Sequence, residues 1–366
     1  MFALYTNTVS AHQLPLAREL AARLGAENFR YVYETEPAGG NQETREREPW
    51  TMRADESGAA ELLEGCEVLL AGGLRPTGLF ERRVARGLKT LYQTERWFKP
   101  LGYLGRFAVP GSLRLLHPGY RRMARRFARL MESPFFQVLP IGPWAERDLE
   151  AVFRRFHGGA AVEKGPARPF VPWGYFVAPG KAAARRVQPD GELKVLWVGR
   201  LLKLKRVDTV IDAVARLRAG GDGSVSLTVV GDGPEKASLE RRAVRRCGAA
   251  AKFLPGVGVG EVRELMRRHD VLVFSSNALD GWGAVVSEAM EEGMLVFGTR
   301  ETGASAALLP ESRRFSCGDA TALARLIAGA RVMAPTPILP DFTAAGAAER
   351  LLAEVGRMRG VCDEAR

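Results

Sequence analysis

The chain has 366 residues, a length that suits two domains of ordinary size. Its 46% hydrophobic content fills cores and excludes a disordered chain, and no apolar run approaches the ~20 residues that cross a bilayer. The net charge of +11 is carried mostly by arginine, and Cys66, Cys247, Cys317 and Cys362 lack the close pair spacing of a zinc site or a disulfide framework.

Residues 1 to 25 do not have the layout of a signal peptide, so a cytoplasmic protein is expected, with peripheral attachment at the inner face of the membrane as an option. Residues 2–5 read as a first strand and 12–24 as an amphipathic helix, with Leu14, Leu16, Ala17, Leu20, Ala21 and Leu24 toward its core side. His12 at the head of that helix has two readings, a ligand contact or an ordinary cap. Residues 29–34 form a second strand pattern, and 36–56 read as a polar loop with little order. Strands are expected at 68–71 and 89–93, and their alternation with helical stretches predicts a parallel sheet. Glu95 and Arg96 follow a strand end, where they either meet an acceptor or form a local ion pair.

Residues 96–131 contain no Asp or Glu, but carry Lys99, Arg106, Arg114, Arg121, Arg122, Arg125, Arg126 and Arg129 interleaved with aromatic and aliphatic side chains. Two readings stand: a surface for an anionic membrane or acidic partner, or a solvated helix face whose apolar side is core. Residues 135–142 close the first sheet and 144–156 read as a helix. Gly/Ala/Pro-rich sequence at 157–170 and a linker at 179–192 follow.

In the second half, residues 195–198 read as a strand and lead into Gly199-Arg200-Leu201, with Lys205 further along the same loop and a helix over 209–217. Ligands of open α/β sheets bind at the strands' carboxyl ends. There, an Arg fork beside a Lys point charge suits a diphosphate, although most basic loops are merely solvated. Residues 227–230 form the next strand pattern, followed by the turn Gly231-Asp232-Gly233-Pro234. Gly256-Val257-Gly258-Val259-Gly260 is not a dinucleotide fingerprint: Glu261 occupies the third glycine's place, and the acid that motif needs on the next strand is missing.

Residues 271–274 read as a buried strand, followed by Asp280-Gly281-Trp282-Gly283 and a helix over 284–292 that Gly293 ends. The start of a helix presents free amides and the positive end of its dipole, so this stretch is either an anion site with two acids, Asp280 and Glu288, or an ordinary βα turn with a cap acid. Residues 294–297 form another strand, and 342–358 a terminal helix.

Together these segments resemble the retaining GT-B glycosyltransferases of family 4. The likeness rests on Gly199-Arg200-Leu201 with Lys205, on Gly231-Asp232-Gly233-Pro234, and on Asp280 to Glu288 around Gly281-Trp282-Gly283, in family order over residues 193–309. One departure is Asp280, where the family usually has Glu, one methylene longer. The resemblance implies two Rossmann-like doubly wound domains facing a cleft. The acceptor-side domain would span 1–178, completed by 342–366, and the nucleotide-sugar domain 193–341.

The resemblance also implies transfer of a sugar from a UDP- or GDP-type donor to a glycan or lipid-linked acceptor of the cell envelope, as in polysaccharide biosynthesis. Anomeric configuration would be retained, with neither a metal nor another cofactor. Arg200 and Lys205 would neutralise the leaving diphosphate, with Gly199 beside them. Amides of Gly283, Ala284 and Val285 would hold a phosphate, Glu288 the ribose, and Asp280 with Gly281, Trp282 and Gly283 the sugar. Leu254 would flank the base, and His12, Glu95 and Arg96 would lie on the acceptor side. The alternatives are a catalytically weak sugar-nucleotide-binding protein and a basic polyanion-binding protein. Nucleic acid is not expected as a partner, because no recognition motif accompanies the charge.

Overall fold

The computed structural model describes residues 1–36, 48–73, 77–104, 107–157, 169–177 and 191–363. The expected linker at 179–192 and the Gly/Ala/Pro-rich stretch at 157–170 fall largely outside them, as does Arg106 of the basic segment. The chain divides into one unit of residues 1–176 and 340–366 and a second of residues 177–339.

The strands of the first unit are β1 (Phe2–Thr8), β2 (Phe29–Thr35), β3 (Thr51–Arg53), β4 (Val68–Gly72), β5 (Lys89–Thr94), the hairpin β6 (Gly102–Leu104) and β7 (Phe107–Val109), and β8 (Phe136–Pro140). Its helices are α1 (Leu14–Leu24), α2 (Ala59–Gly65), α3 (Thr77–Ala85), α4 (Pro118–Leu130) and α5 (Pro143–Phe156). Six strands pair in the order β3-β2-β1-β4-β5-β8, all parallel.

Two expectations change here. Helix α1 begins at Leu14 because Pro15 suits a first turn, where its missing N–H costs nothing, and this leaves His12 in the preceding turn. The expected loop over 36–56 contains β3, which pairs with β2 because Trp50 is buried against Phe29 and Tyr31 at 5.4 and 6.4 Å between ring centroids.

An arginine holds this layer together from inside. Arg83 is fully buried; it donates to the carbonyls of Leu63 (2.7 Å), Cys66 (2.9 Å) and Lys89 (3.1 Å) and to Thr90 Oγ1 (3.2 Å). It thereby ties the end of α2 to β5. Arg83→Met would leave three carbonyls short of a donor, and a buried polar group without its partner costs about 1–3 kcal/mol. Urea unfolding of the first unit should show a loss of about 3 kcal/mol or more. A midpoint within error of wild type would show that water replaces the guanidinium.

The second unit repeats the plan with β9 (Leu193–Val198), β10 (Val225–Val230), β11 (Ala251–Leu254), β12 (Val271–Phe274), β13 (Leu295–Thr299) and β14 (Arg314–Phe315). Its helices are α6 (Val207–Ala219), α7 (Lys236–Cys247), α8 (Val259–Arg268), α9 (Val285–Glu291), α10 (Gly303–Leu308) and α11 (Ala320–Ala328). The strand order is β11-β10-β9-β12-β13-β14, again parallel. Val195, Leu196, Trp197 and the whole of β12 are buried, as strands covered by helices on both faces must be.

The last helix, α12 (Ala344–Asp363), packs on α1 in the first unit. In both sheets the order reverses once, between β1 and β4 and between β9 and β12. Such reversals open a crevice at the carboxyl ends of the strands, where doubly wound folds bind ligands. Among the described residues no helix is long and apolar enough to cross a membrane.

Candidate functional site

In the second unit the reversal is flanked by the loops that leave β9 and β12. The first runs through Gly199 and Arg200 to a 3-10 turn at Lys203–Lys205. Gly199 N–H donates to Val230 O at 3.0 Å and Leu201 N–H to Asp232 O at 2.9 Å, so the β9 and β10 loops travel together. Gly231 must be glycine there, since a Cβ would lie 1.9 Å from Gly199 O. Asp232 Oδ2 accepts from Gly256 N–H at 2.6 Å, which draws in the loop after β11, and Leu254 O accepts from Gly231 N–H at 3.1 Å.

Two bonds then clamp the Lys205 loop to the end of β12. Ser275 Oγ donates to Lys205 O at 2.7 Å, and Asn277 N–H donates to Leu204 O at 2.8 Å. The result is a contact between residues 75 positions apart. Lys205 Nζ donates to Asp280 Oδ2 at 2.6 Å, with Nζ 5.8 Å from the centre of the Phe274 ring. The other carboxylate oxygen, Asp280 Oδ1, accepts from Gly281 N–H at 3.1 Å. Arg200 is exposed and holds no ion pair among the described residues.

The Gly281-Trp282-Gly283 loop is fixed from behind by α10: Gly303 N–H donates to Gly281 O at 3.1 Å and Ala304 N–H to Trp282 O at 2.9 Å. Trp282 is buried, and Gly283 has φ +94°. Helix α9 starts at Val285, so the amides of Gly283, Ala284 and Val285 stand at its open end. Glu288 sits half-buried in the first turn of α9. Glu291 and Glu292 face elsewhere: Arg263 holds both, at 2.8 and 3.1 Å, and Arg267 holds Glu292 at 2.8 Å.

In the first unit the reversal opens on a cavity of about 610 Å³ that brings His12, Glu95 and Arg96 together. Glu95 and Arg96 do not pair with each other. Glu95 accepts from Lys99 Nζ (2.7 Å) and from the Tyr175 hydroxyl (3.2 Å), and the His12 ring stacks on Tyr175 with centroids 5.7 Å apart. Arg96 Nε lies 3.4 Å from Asp148 Oδ2. Burial pushes the Asp148 carboxyl up, while the Phe98 amide and Arg96 pull it down. Lys99 and Tyr175 were not singled out as site residues from sequence. Lys99 lies four positions from Glu95, a visible signal; Tyr175 lies 80 away and leaves none.

The basic segment splits between two roles. Trp97, Phe98 and Phe127 are buried in the core of the first unit, so these aromatics face inward. Arg126 forms a two-pronged ion pair with Glu81. Leu113 and Leu116 are exposed.

Comparison with known proteins adds to this geometry. Residues 181–330 match the family model described as Glycosyl transferases group 1. A lipopolysaccharide outer core galactosyltransferase, WaaB in its apo form, is 12% identical with a TM-score of 0.66, over 97% of this chain and 99% of that one. The HepE protein (Alr3699) of Anabaena, solved in complex with UDP, is 16% identical with a TM-score of 0.59, over 100% and 99% of the two chains. The fold is GT-B. A UDP-forming trehalose-phosphate synthase from Burkholderia xenovorans is similar at 13% identity and a TM-score of 0.61, over 98% and 95%. No curated protein matches the sequence.

Proposed function

We propose that the chain is a glycosyltransferase that moves a sugar from a nucleoside diphosphate sugar to a glycan or lipid-linked acceptor, with retention and without a required metal. The observation that carries this reading is the Lys205–Asp280 pair beside the open amides of α9, at the sheet reversal of the unit that matches the family model. The relatives favour UDP as the carrier: HepE was solved with UDP and with UDP and glucose, and the trehalose-phosphate synthase is UDP-forming.

In this reading Arg200 and Lys205 neutralise the diphosphate as the bond from the anomeric carbon to phosphate oxygen breaks. The acceptor hydroxyl oxygen bonds to that carbon, and its proton passes to the leaving phosphate. Glu288 holds the ribose, and Asp280 with the amides of Trp282 and Gly283 holds the sugar. Leu254 and Gly199 line the nucleotide. The acceptor occupies the cavity of His12, Glu95 and Arg96.

Thermal-shift screening against UDP-, GDP- and ADP-sugars tests the donor, because a ligand that binds only the folded state stabilises it by mass action. A single clear UDP-sugar response is expected; no response to any of them would sink the reading. The weak-binder alternative keeps one argument, the shorter Asp280 spent on Lys205. Donor hydrolysis separates the two, since a binder shifts the melting point without releasing UDP.

The two acids should separate by ligand. Glu288→Ala is expected to weaken free UDP by about tenfold or more, the effect of losing a charged hydrogen-bonding group. Asp280→Ala is expected to spare free UDP and to impair use of the intact donor. Calorimetry with UDP beside turnover with donor reads both, and the reverse pattern would exchange the two roles.

A further inference from the structure

A second basic feature lies in the first unit, outside both sites above. Arg121, Arg125 and Arg129 stand four residues apart along α4, so their side chains follow one another on a single stripe. Arg155 comes from α5, which packs on α4. The four line a pocket of about 340 Å³ with Phe156, over whose ring Arg125 Cζ sits at 5.7 Å. All four arginines are exposed.

The acids nearby are committed elsewhere. Glu81 is gripped by Arg126, although it also feels the charge of Arg129. Glu132 pairs with His157 Nε2 at 2.6 Å, and Glu150 with Arg154 at 3.2 Å. Among the described residues no carboxylate forms an ion pair with Arg121, Arg125, Arg129 or Arg155. Like charges at this helical spacing repel and destabilise the helix. Four guanidinium groups around one pocket are therefore an arrangement that an anion would complete, and their planar forks match phosphate oxygens two at a time.

We propose that this pocket binds a phosphate group. The group reaches it either on a soluble phosphorylated molecule or as a lipid headgroup, and the two sources share this chemistry. The inference does not rest on the proposed sugar transfer, because none of the four residues belongs to the donor loops or to the acceptor cavity.

Residue-resolved labelling tests it. The full chain is treated with phenylglyoxal, and each arginine's rate is read by peptide mass spectrometry, with inorganic pyrophosphate or with chloride at equal ionic strength. Pyrophosphate should slow Arg121, Arg125, Arg129 and Arg155 together, several-fold, while Arg122, exposed on the same helix but outside the pocket, keeps its rate. Pyrophosphate held by Arg200 would register at Arg200 and not here. In Arg125→Ala, with its circular dichroism unchanged, the protection of Arg121 and Arg129 should fall.

A second arm uses vesicles of phosphatidylcholine with or without phosphatidylglycerol. If only the anionic vesicles sediment the chain and protect the same arginines, the source is a headgroup. If pyrophosphate protects and vesicles do not, the source is soluble; either result upholds the site. No protection by either probe, or equal slowing of Arg122, would overturn it.

Discussion

Arg200→Ala and Lys205→Ala are each expected to lower donor turnover by roughly two to three orders of magnitude, the loss seen when one donor to a developing anion is removed. The effect is electrostatic. Breaking the bond to the diphosphate concentrates negative charge on phosphate oxygens, and a cation already in place stabilises that charge without reorganising. Lys205 is in place because Ser275 and Asn277 hold the backbone at Lys205 and Leu204, and because Asp280 holds its ammonium at 2.6 Å.

Arg200 differs in having no such restraint, which suits a side chain that engages only with ligand present. Its removal should leave the melting temperature unchanged. Lys205→Ala should lower the melting temperature slightly, since Asp280, 17% exposed, loses its counter-charge. Steady-state turnover beside a melting curve separates the two effects. Wild-type turnover in either variant would remove that residue from the diphosphate.

Most strands were legible from sequence because parallel strands buried on both faces read as continuous apolar runs. Residues 271–274 match β12 residue for residue. The order of the sheet reversals was not legible, since pairing depends on register between distant segments. This is why Lys205 and Asp280 could each be named but their pairing could not. Arg83 shows a similar limit. In sequence it stands beside Arg82 and near Arg86 and looks like part of a solvated basic face. Only the fold reveals that it supplies donors to carbonyls inside the layer. The short β3 escaped because its cause is the burial of Trp50, a tertiary event, and not a strand pattern of its own. In the basic segment two readings stood, a surface shared by charge and aromatics or a solvated face whose apolar side is core. The structure sends the aromatics to the core and leaves the arginines to divide between an ion pair and an open stripe.

Gly283→Ala should disable the donor loop more completely than the loss of any single side chain on it. Two constraints meet at this residue. Its φ of +94° is a backbone conformation that L side chains rarely adopt, and holding a non-glycine in such a region costs about 1–3 kcal/mol. A Cβ would also lie 2.2 Å from Phe274, whose ring is 4% exposed, closes the end of β12 and faces the Lys205 ammonium. The loop has little room to retreat, because α10 holds the carbonyls of Gly281 and Trp282. Relief must therefore come from Phe274 or from the start of α9. Either movement displaces the amides of Gly283, Ala284 and Val285 relative to Lys205. A misplacement of about 1 Å can cost about a hundredfold in rate. The expected result is a second unit that still folds, with a lowered melting temperature, weakened UDP binding by calorimetry and turnover down by at least about a hundredfold. Near-wild-type UDP affinity and turnover in Gly283→Ala would mean that the start of α9 does not hold the phosphate, and the donor would have to be sought elsewhere on the sheet edge.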